Sequence, residues 1–218
     1  MPRLARRPHT PRTEHTEAGV DLGLERLVFL SDGLFAIAMT ILVIDLRLPD
    51  LPIAATSDQV GAALGALAPR VFAFALSFAI ISFYWIAHWR RFKLIERADA
   101  TLAYLNLIQL AFIALIPFPT AVIGEHGDTA IATVVYAGTL SAAGVTGFLT
   151  WAYAARAGLA KAGVPHDYVR SGAIRGLSVP VIMLGSLPFL LVTDPSWVER
   201  SWILILPAQW LLTRRIAR

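Results

Sequence analysis

The chain has 218 residues, of which 56% are apolar and 16% charged, with a formal net charge of +4. A soluble globular domain sits nearer about 45–50% apolar and 25% charged, and a mean hydropathy of +0.62 makes lipid the solvent for most of this chain. The absence of cysteine excludes disulfides, thiolate catalysis and cysteine-type zinc sites.

Residues 1–24 hold Pro2, Pro8, Pro11 and clustered arginines. They read as a disordered basic tail, because such a composition cannot build a core. A signal peptide does not fit. The first apolar run starts near Leu27, after Glu14, Glu17, Asp21 and Glu25, and is too long for a signal h-region. Residues 25–215 then form one all-α, polytopic membrane domain with six apolar stretches, at 27–48, 62–87, 102–123, 129–155, 172–192 and 197–213. Most reach the ~20 residues needed to cross a bilayer, and backbone polar groups in lipid require each to be helical. Pro180 and Pro188 interrupt the fifth stretch and Pro207 the sixth. Inside a span, prolines are expected to kink the helix without ending it.

Loop charges set the orientation. Of the 19 Lys and Arg, 16 lie on one side, before the first span, in the second–third loop, around the fourth–fifth loop and at the C-terminal end, and only Arg47, Arg70 and Arg200 fall on the other. The positive-inside rule places both termini in the cytoplasm, which requires an even number of spans. The expected location is the cell membrane. The pI near 9.8 then reflects cytoplasmic loops, and no nucleic-acid partner is implied. Asp45, Asp50, Asp58, Glu125, Asp128, Asp194 and Glu199 lie on the outer side. They would either raise the local cation concentration at a mouth or simply solvate loops. Trp85, Trp89, Trp151, Trp197 and Trp210 fall near span ends, as an interfacial belt requires.

The first span carries the unusual chemistry. Asp32 lies roughly 8 Å inside the apolar run at the helical rise, where an ionisable group must face protein or water and find a partner. Arg26 is poorly phased to be that partner, and Ser31 can donate to the carboxylate from the next position. At ~100° per residue, Ile37, Thr40, Ile41 and Ile44 share a face, extended by Leu30 and Gly33, with Asp32 about 140° away from Ile37. The face is β-branched and nearly dry. Its pattern fits lipid contact, helix packing or a pore-lining apolar ring, and periodicity does not choose among them. Trp85 and His88 in the second span and Asn106 in the third lie at the same depth as Ser31 and Asp32. An interhelical polar cluster of these residues is geometrically possible, as structural glue or, through His88, as a proton sensor. A proton-coupled secondary transporter using Asp32 and His88 is therefore a rival reading. An enzyme is not indicated: metalloprotease and nucleophile-elbow motifs are absent from the sequence, and His126, His166 and Asp167 read as solvated loop residues.

The segment Arg26-Leu-Val-Phe-Leu-Ser31-Asp32 resembles the signature of the transmembrane protein 175 family of endolysosomal potassium channels and their prokaryotic relatives. The family motif is Arg-x-x-x-Phe-Ser-Asp, and Leu30 replaces its phenylalanine. The run from Gly33 to Asp45, Trp85-x-x-His88 with Arg91-x-x-Leu94, Leu105-Asn106-Leu107 and Pro117-Phe-Pro-Thr120 are similar too, so the resemblance covers residues 26–125. It implies a homotetramer of six-span subunits, with first spans around a central pore permeable to potassium and other monovalent cations. Ile37 would be the narrowest ring, and Thr40 or Ile41 and then Ile44 would form further layers. Arg26, Ser31, Asp32, Trp85, His88 and Asn106 would hold helix packing. No cofactor is implied beyond the permeant ion. The chain contains no Thr-Val-Gly-Tyr-Gly filter, so selection by rings of backbone carbonyls in that form is excluded.

Overall fold

A computed structural model describes residues 14–163 and 166–214, with side chains described over 23–163 and 176–209. The described residues are helical apart from turns, loops and one isolated bridge between Ile95 and Ala160. Helix α1 spans Glu14–Ile41 and tightens into a 3₁₀ turn over Leu42–Asp45. A short α2, Ser57–Ala66, precedes α3, Ala68–Phe92. Then come α4, Ala100–Leu115, α5, Pro117–His126, and α6, Ala130–Arg156. Helix α7, His166–Ser186, runs into a 3₁₀ segment, Leu187–Leu191. Helix α8, Pro195–Ser201, leads through Trp202–Leu204 into α9, Ile205–Arg214.

Among the described residues four helical segments are long and apolar enough to cross a membrane: Gly23–Asp45, Ala68–Phe92, Ala100–His126 and Ala130–Arg156. They match the first four expected stretches, with three differences. The first helix continues back to Glu14, through part of the segment expected to be a mobile tail; residues 1–13 of that tail lie outside the described residues. The second stretch breaks at Leu67, where α2 ends and α3 begins. The third is two helices in line, because Pro117 and Pro119 withhold N–H donors and the Thr120 hydroxyl donates to the Ile116 carbonyl at 2.8 Å.

The last two stretches appear as shorter pieces. Pro180 lies inside α7, but at Pro188 the α-helix has already given way to a 3₁₀ turn, so this proline stands where a helix ends. The apolar part of this region is Gly176–Leu191. Pro207 falls in the first turn of α9, where its missing N–H costs little. His166, Asp167, Arg170, Arg175 and Trp210 have side chains outside the described set.

The larger of two core clusters is drawn from nearly every long helix, and a smaller one gathers Phe92, Ile95, Leu102, Trp151, Ala154 and Leu159. Phe35 and Leu42 of α1 pack with Ile80, Ile81 and Tyr84 of α3, Leu110 and Ile113 of α4, Tyr136 and Leu140 of α6, and Met183 of α7. Glycine lets two helices touch at one point: a Cβ at Gly144 would sit 2.7 Å from Pro180 Cγ and 2.8 Å from the Tyr84 hydroxyl. At one end of the bundle the α3–α4 and α6–α7 loops are tied by Glu96 N–H to the Leu159 carbonyl at 2.9 Å and Lys161 N–H to the Leu94 carbonyl at 2.8 Å. Arg90, Lys93, Arg97, Arg156 and Lys161 gather at this end. In the loop there, Asp99 caps α4 and accepts from the Tyr153 hydroxyl at 2.7 Å, which holds its carboxyl below the usual range. At the opposite end, Arg70 pairs with Glu125 at 2.9 Å.

Candidate pore-lining face and its polar anchor

Two opposite faces of α1 meet different environments. On the inner face Ser31, Phe35 and Leu42 are 0% exposed and Ala38 2%. On the outer face Ile37 is 58% exposed, Ile41 41% and Ile44 49%, with Gly33 and Thr40 exposed beside them. The Thr40 hydroxyl donates to the Ile37 carbonyl at 2.9 Å, so its proton is used within the helix. The resulting ridge is branched, apolar and unpartnered among the described residues. Of the four long apolar segments this one is the least covered: 22% of its window is buried, against 39%, 39% and 50% for the others.

What fixes the rotation of α1 is a set of hydrogen bonds on the other side. The Ser31 hydroxyl donates to the Leu27 carbonyl at 2.7 Å and accepts from Asn106 Nδ2 at 3.0 Å. Asn106 Oδ1 lies 2.9 Å from His88 Nε2. An amide oxygen only accepts, so His88 must carry its proton on Nε2. Every donor in this row then points the same way, from α3 through α4 to α1. The His88 ring is stacked on Phe92, with centroids 4.1 Å apart, and tilted against Phe35 at 5.6 Å. Asp32 belongs to a separate bond: Trp85 Nε1 donates to its Oδ1 at 2.8 Å. The five residues expected to meet thus form two adjacent arms from α1. Ser31 does not donate to Asp32, because the carbonyl one turn back offers its hydroxyl a better-placed acceptor. Arg26 is exposed and stands outside both arms.

Two charged residues assigned to loops lie inside the protein. Arg91 is 8% exposed and donates to the Gly147 carbonyl of α6. Room for it exists only because residue 147 is glycine: a Cβ there would sit 3.1 Å from Arg91 Nη1 and 2.6 Å from Gln109 Nε2. Glu199 is 9% exposed and accepts from Thr133 at 3.0 Å. The signals that could have found the first were Gln109 in mid-span and the small pair Gly144 and Gly147 in α6. At the C-terminal end of the ridge, Arg47 Nε donates to the Ile44 carbonyl at 2.9 Å. Glu125, read as a solvated loop acid, is the partner of Arg70.

A helical bundle with four segments of bilayer length, one of them leaving a branched apolar ridge uncovered, defines a multi-pass membrane protein. The profile of the family described as endosomal/lysosomal potassium channel TMEM175 matches residues 26–117. A protein of Streptomyces collinus named a potassium channel is 33% identical over 182 residues, covering 80% of this chain and 82% of that one. A protein of Chamaesiphon minutus, also named a potassium channel, is 38% identical over 135 residues, 61% of this chain and 66% of its own length. The crystal structure of a lysosomal potassium-selective channel TMEM175 homolog from Chamaesiphon minutus superposes with a TM-score of 0.73 at 28% identity, covering 88% of this chain and 97% of that one. The mouse relative, named an endosomal/lysosomal proton channel, is 35% identical over 101 residues, a 20% share of its length. The chain belongs to the TMEM175 family, a family of ion channels and not of enzymes.

Proposed function

We propose that this chain forms a potassium-permeable cation channel, as a homotetramer of six-span subunits with α1 of each subunit around a central pore. The observation that carries this reading is the contrast across one helix: Ile37 is 58% exposed while Ser31, on the opposite side, is 0% exposed and hydrogen-bonded into the bundle. A helix anchored so firmly on its polar side presents its branched ridge in a fixed direction. Copies arranged about an axis would cover that ridge and enclose a narrow apolar channel.

In this arrangement Ile37 forms the constriction, with Thr40, Ile41 and Ile44 as layers toward the outside. Ser31, Asp32, Trp85, His88 and Asn106 are on the packing side of the helix, away from the ion; Arg26, expected among them, is exposed and takes no part in that packing. An apolar ring impedes flow by dewetting. An ion crosses it only by shedding part of its hydration, so the ring favours the cation that dehydrates more easily and discriminates modestly. The helices of residues 166–191 and 195–214 supply the fifth and sixth spans. The end of the bundle that gathers Arg90, Lys93, Arg97, Arg156 and Lys161 faces the cytoplasm, as do the tail of residues 1–24 and the C-terminus, in the cell membrane.

Purified protein in planar bilayers tests this directly. Discrete ohmic current steps, with a reversal potential that follows the potassium gradient more closely than the sodium gradient, are the expected result. Saturating, proton-coupled flux without unitary steps would instead support a transporter working through Asp32 and His88.

A further inference from the structure

At the end of the bundle that carries Arg70 and Glu125, helices α3, α5, α6 and α8 enclose a cavity of about 540 Å³. That volume lies within the range of about 300–1,000 Å³ that small-molecule sites occupy. Its floor is apolar and aromatic, built from Phe72, Leu76, Tyr136 and Trp202, the last two rings stacked with centroids 5.4 Å apart. Glu199 lines the same cavity at 9% exposure.

One oxygen of that carboxylate, Oε1, is satisfied by Thr133. The other, Oε2, accepts no hydrogen bond among the described residues. It lies against the turn after α5: a Cβ at Gly127 would be 2.8 Å from Oε2 and 2.7 Å from the Ile123 carbonyl oxygen. The other charges around the cavity are Glu125, Asp128 and Arg200. Glu125 is neutralised by Arg70 at 2.9 Å, and the Arg200 guanidinium lies 5.5 Å from the Trp197 ring. Arg200 offsets one of the two remaining acids, so the ionised site is left with an excess of negative charge. A carboxylate oxygen left open to such a cavity is a strong acceptor for a charged donor. An aromatic floor suits a cation carrying an apolar body.

We propose that this cavity binds an amphipathic organic ammonium, its N–H groups on Glu199 and its apolar body over Phe72, Leu76 and Tyr136. The ammonium is supplied either by a free amine or by the ethanolamine headgroup of a lipid in the adjacent leaflet. Neither source depends on the conduction reading, and the test reads binding alone.

The test is calorimetric titration of the detergent-purified protein with 2-phenylethylammonium and with its uncharged analogue 2-phenylethanol. The amine is expected to bind saturably and at least about tenfold more tightly than the alcohol, the size of one buried hydrogen bond to a charged group. Glu199→Gln is expected to remove that preference while leaving the alcohol unaffected. Repeating the titration in nanodiscs separates the two sources. Loss of amine binding in phosphatidylethanolamine, but not in phosphatidylglycerol, assigns the site to the headgroup; equal binding in both assigns it to a free amine. Equal affinity for amine and alcohol in the wild-type protein overturns the proposal, and that comparison stands even where the variant fails to fold. A preference that survives Glu199→Gln overturns it as well.

Discussion

Replacing Ile37 with asparagine raises potassium flux through reconstituted protein by about tenfold, a barrier change of about 1.4 kcal/mol, and erodes discrimination between potassium and sodium. In the proposed pore the cause is the removal of a dewetted ring. Ile37 is more than half exposed in the single subunit, and in the proposed homotetramer the same side chain recurs once per subunit around the axis. Four amides there would hold water and lower the cost of dehydrating any small cation, which is why rate and selectivity move in opposite directions. Flux of potassium and sodium into liposomes, measured side by side, checks both. The control is Ile131→Asn on α6, equally apolar and 69% exposed, which leaves flux unchanged. Unaltered flux in Ile37→Asn would remove this residue from the constriction.

Asn106→Leu lowers the yield of folded protein and its thermal midpoint, with a stability loss of about 2 kcal/mol. Interhelical hydrogen bonds in membranes average only about 0.6 kcal/mol, so the larger figure needs a reason. Asn106 is 0% exposed and His88 2%. Leucine would leave the His88 Nε2–H without an acceptor where neither water nor a headgroup reaches it, and Ser31 would lose the donor it accepts from. Trp85→Phe is expected to cost less, because its bond to Asp32 lies on the exposed flank of the helix pair. The channels that do assemble are expected to keep wild-type selectivity, since in the proposed pore this row faces away from the ion. Normal yield combined with altered selectivity would place Asn106 at the conduction path instead.

Much of the fold is legible in the sequence because lipid imposes so few alternatives. An apolar run of ~20 residues must be a helix, and the first four stretches are. A carboxylate in such a run must turn toward protein, which placed Asp32 and, by depth, Trp85, Ser31, His88 and Asn106 on neighbouring helices. Boundaries were harder. Thr56 and Gln59 carry a capping box whose pattern announces a helix start at Ser57, yet hydropathy alone draws the second stretch from residue 62. Charge was the least legible. Arg91 reads as a loop base because it follows Trp89 and Arg90, but α3 continues through Phe92 and carries it into the bundle against Gly147. Glu199 reads as a solvated outer-side acid because it falls at the very start of the sixth apolar stretch, whereas a separate seven-residue helix, Pro195–Ser201, buries it. In both cases the deciding information is a glycine elsewhere in the chain, Gly147 on α6 or Gly127 in the turn after α5, which no local reading of the charged residue contains.

The chain's lack of cysteine makes one measurement decisive for the orientation of α1. Single cysteines at Ile37, Ile41 and Ile44, with Ile131→Cys as the control, are exposed to a water-soluble cationic thiosulfonate during bilayer recording. Progressive block at the three ridge positions and none at residue 131 is the predicted result. Ridge cysteines that stay unreactive while current flows would place the ridge against acyl chains and contradict a pore lined by this helix.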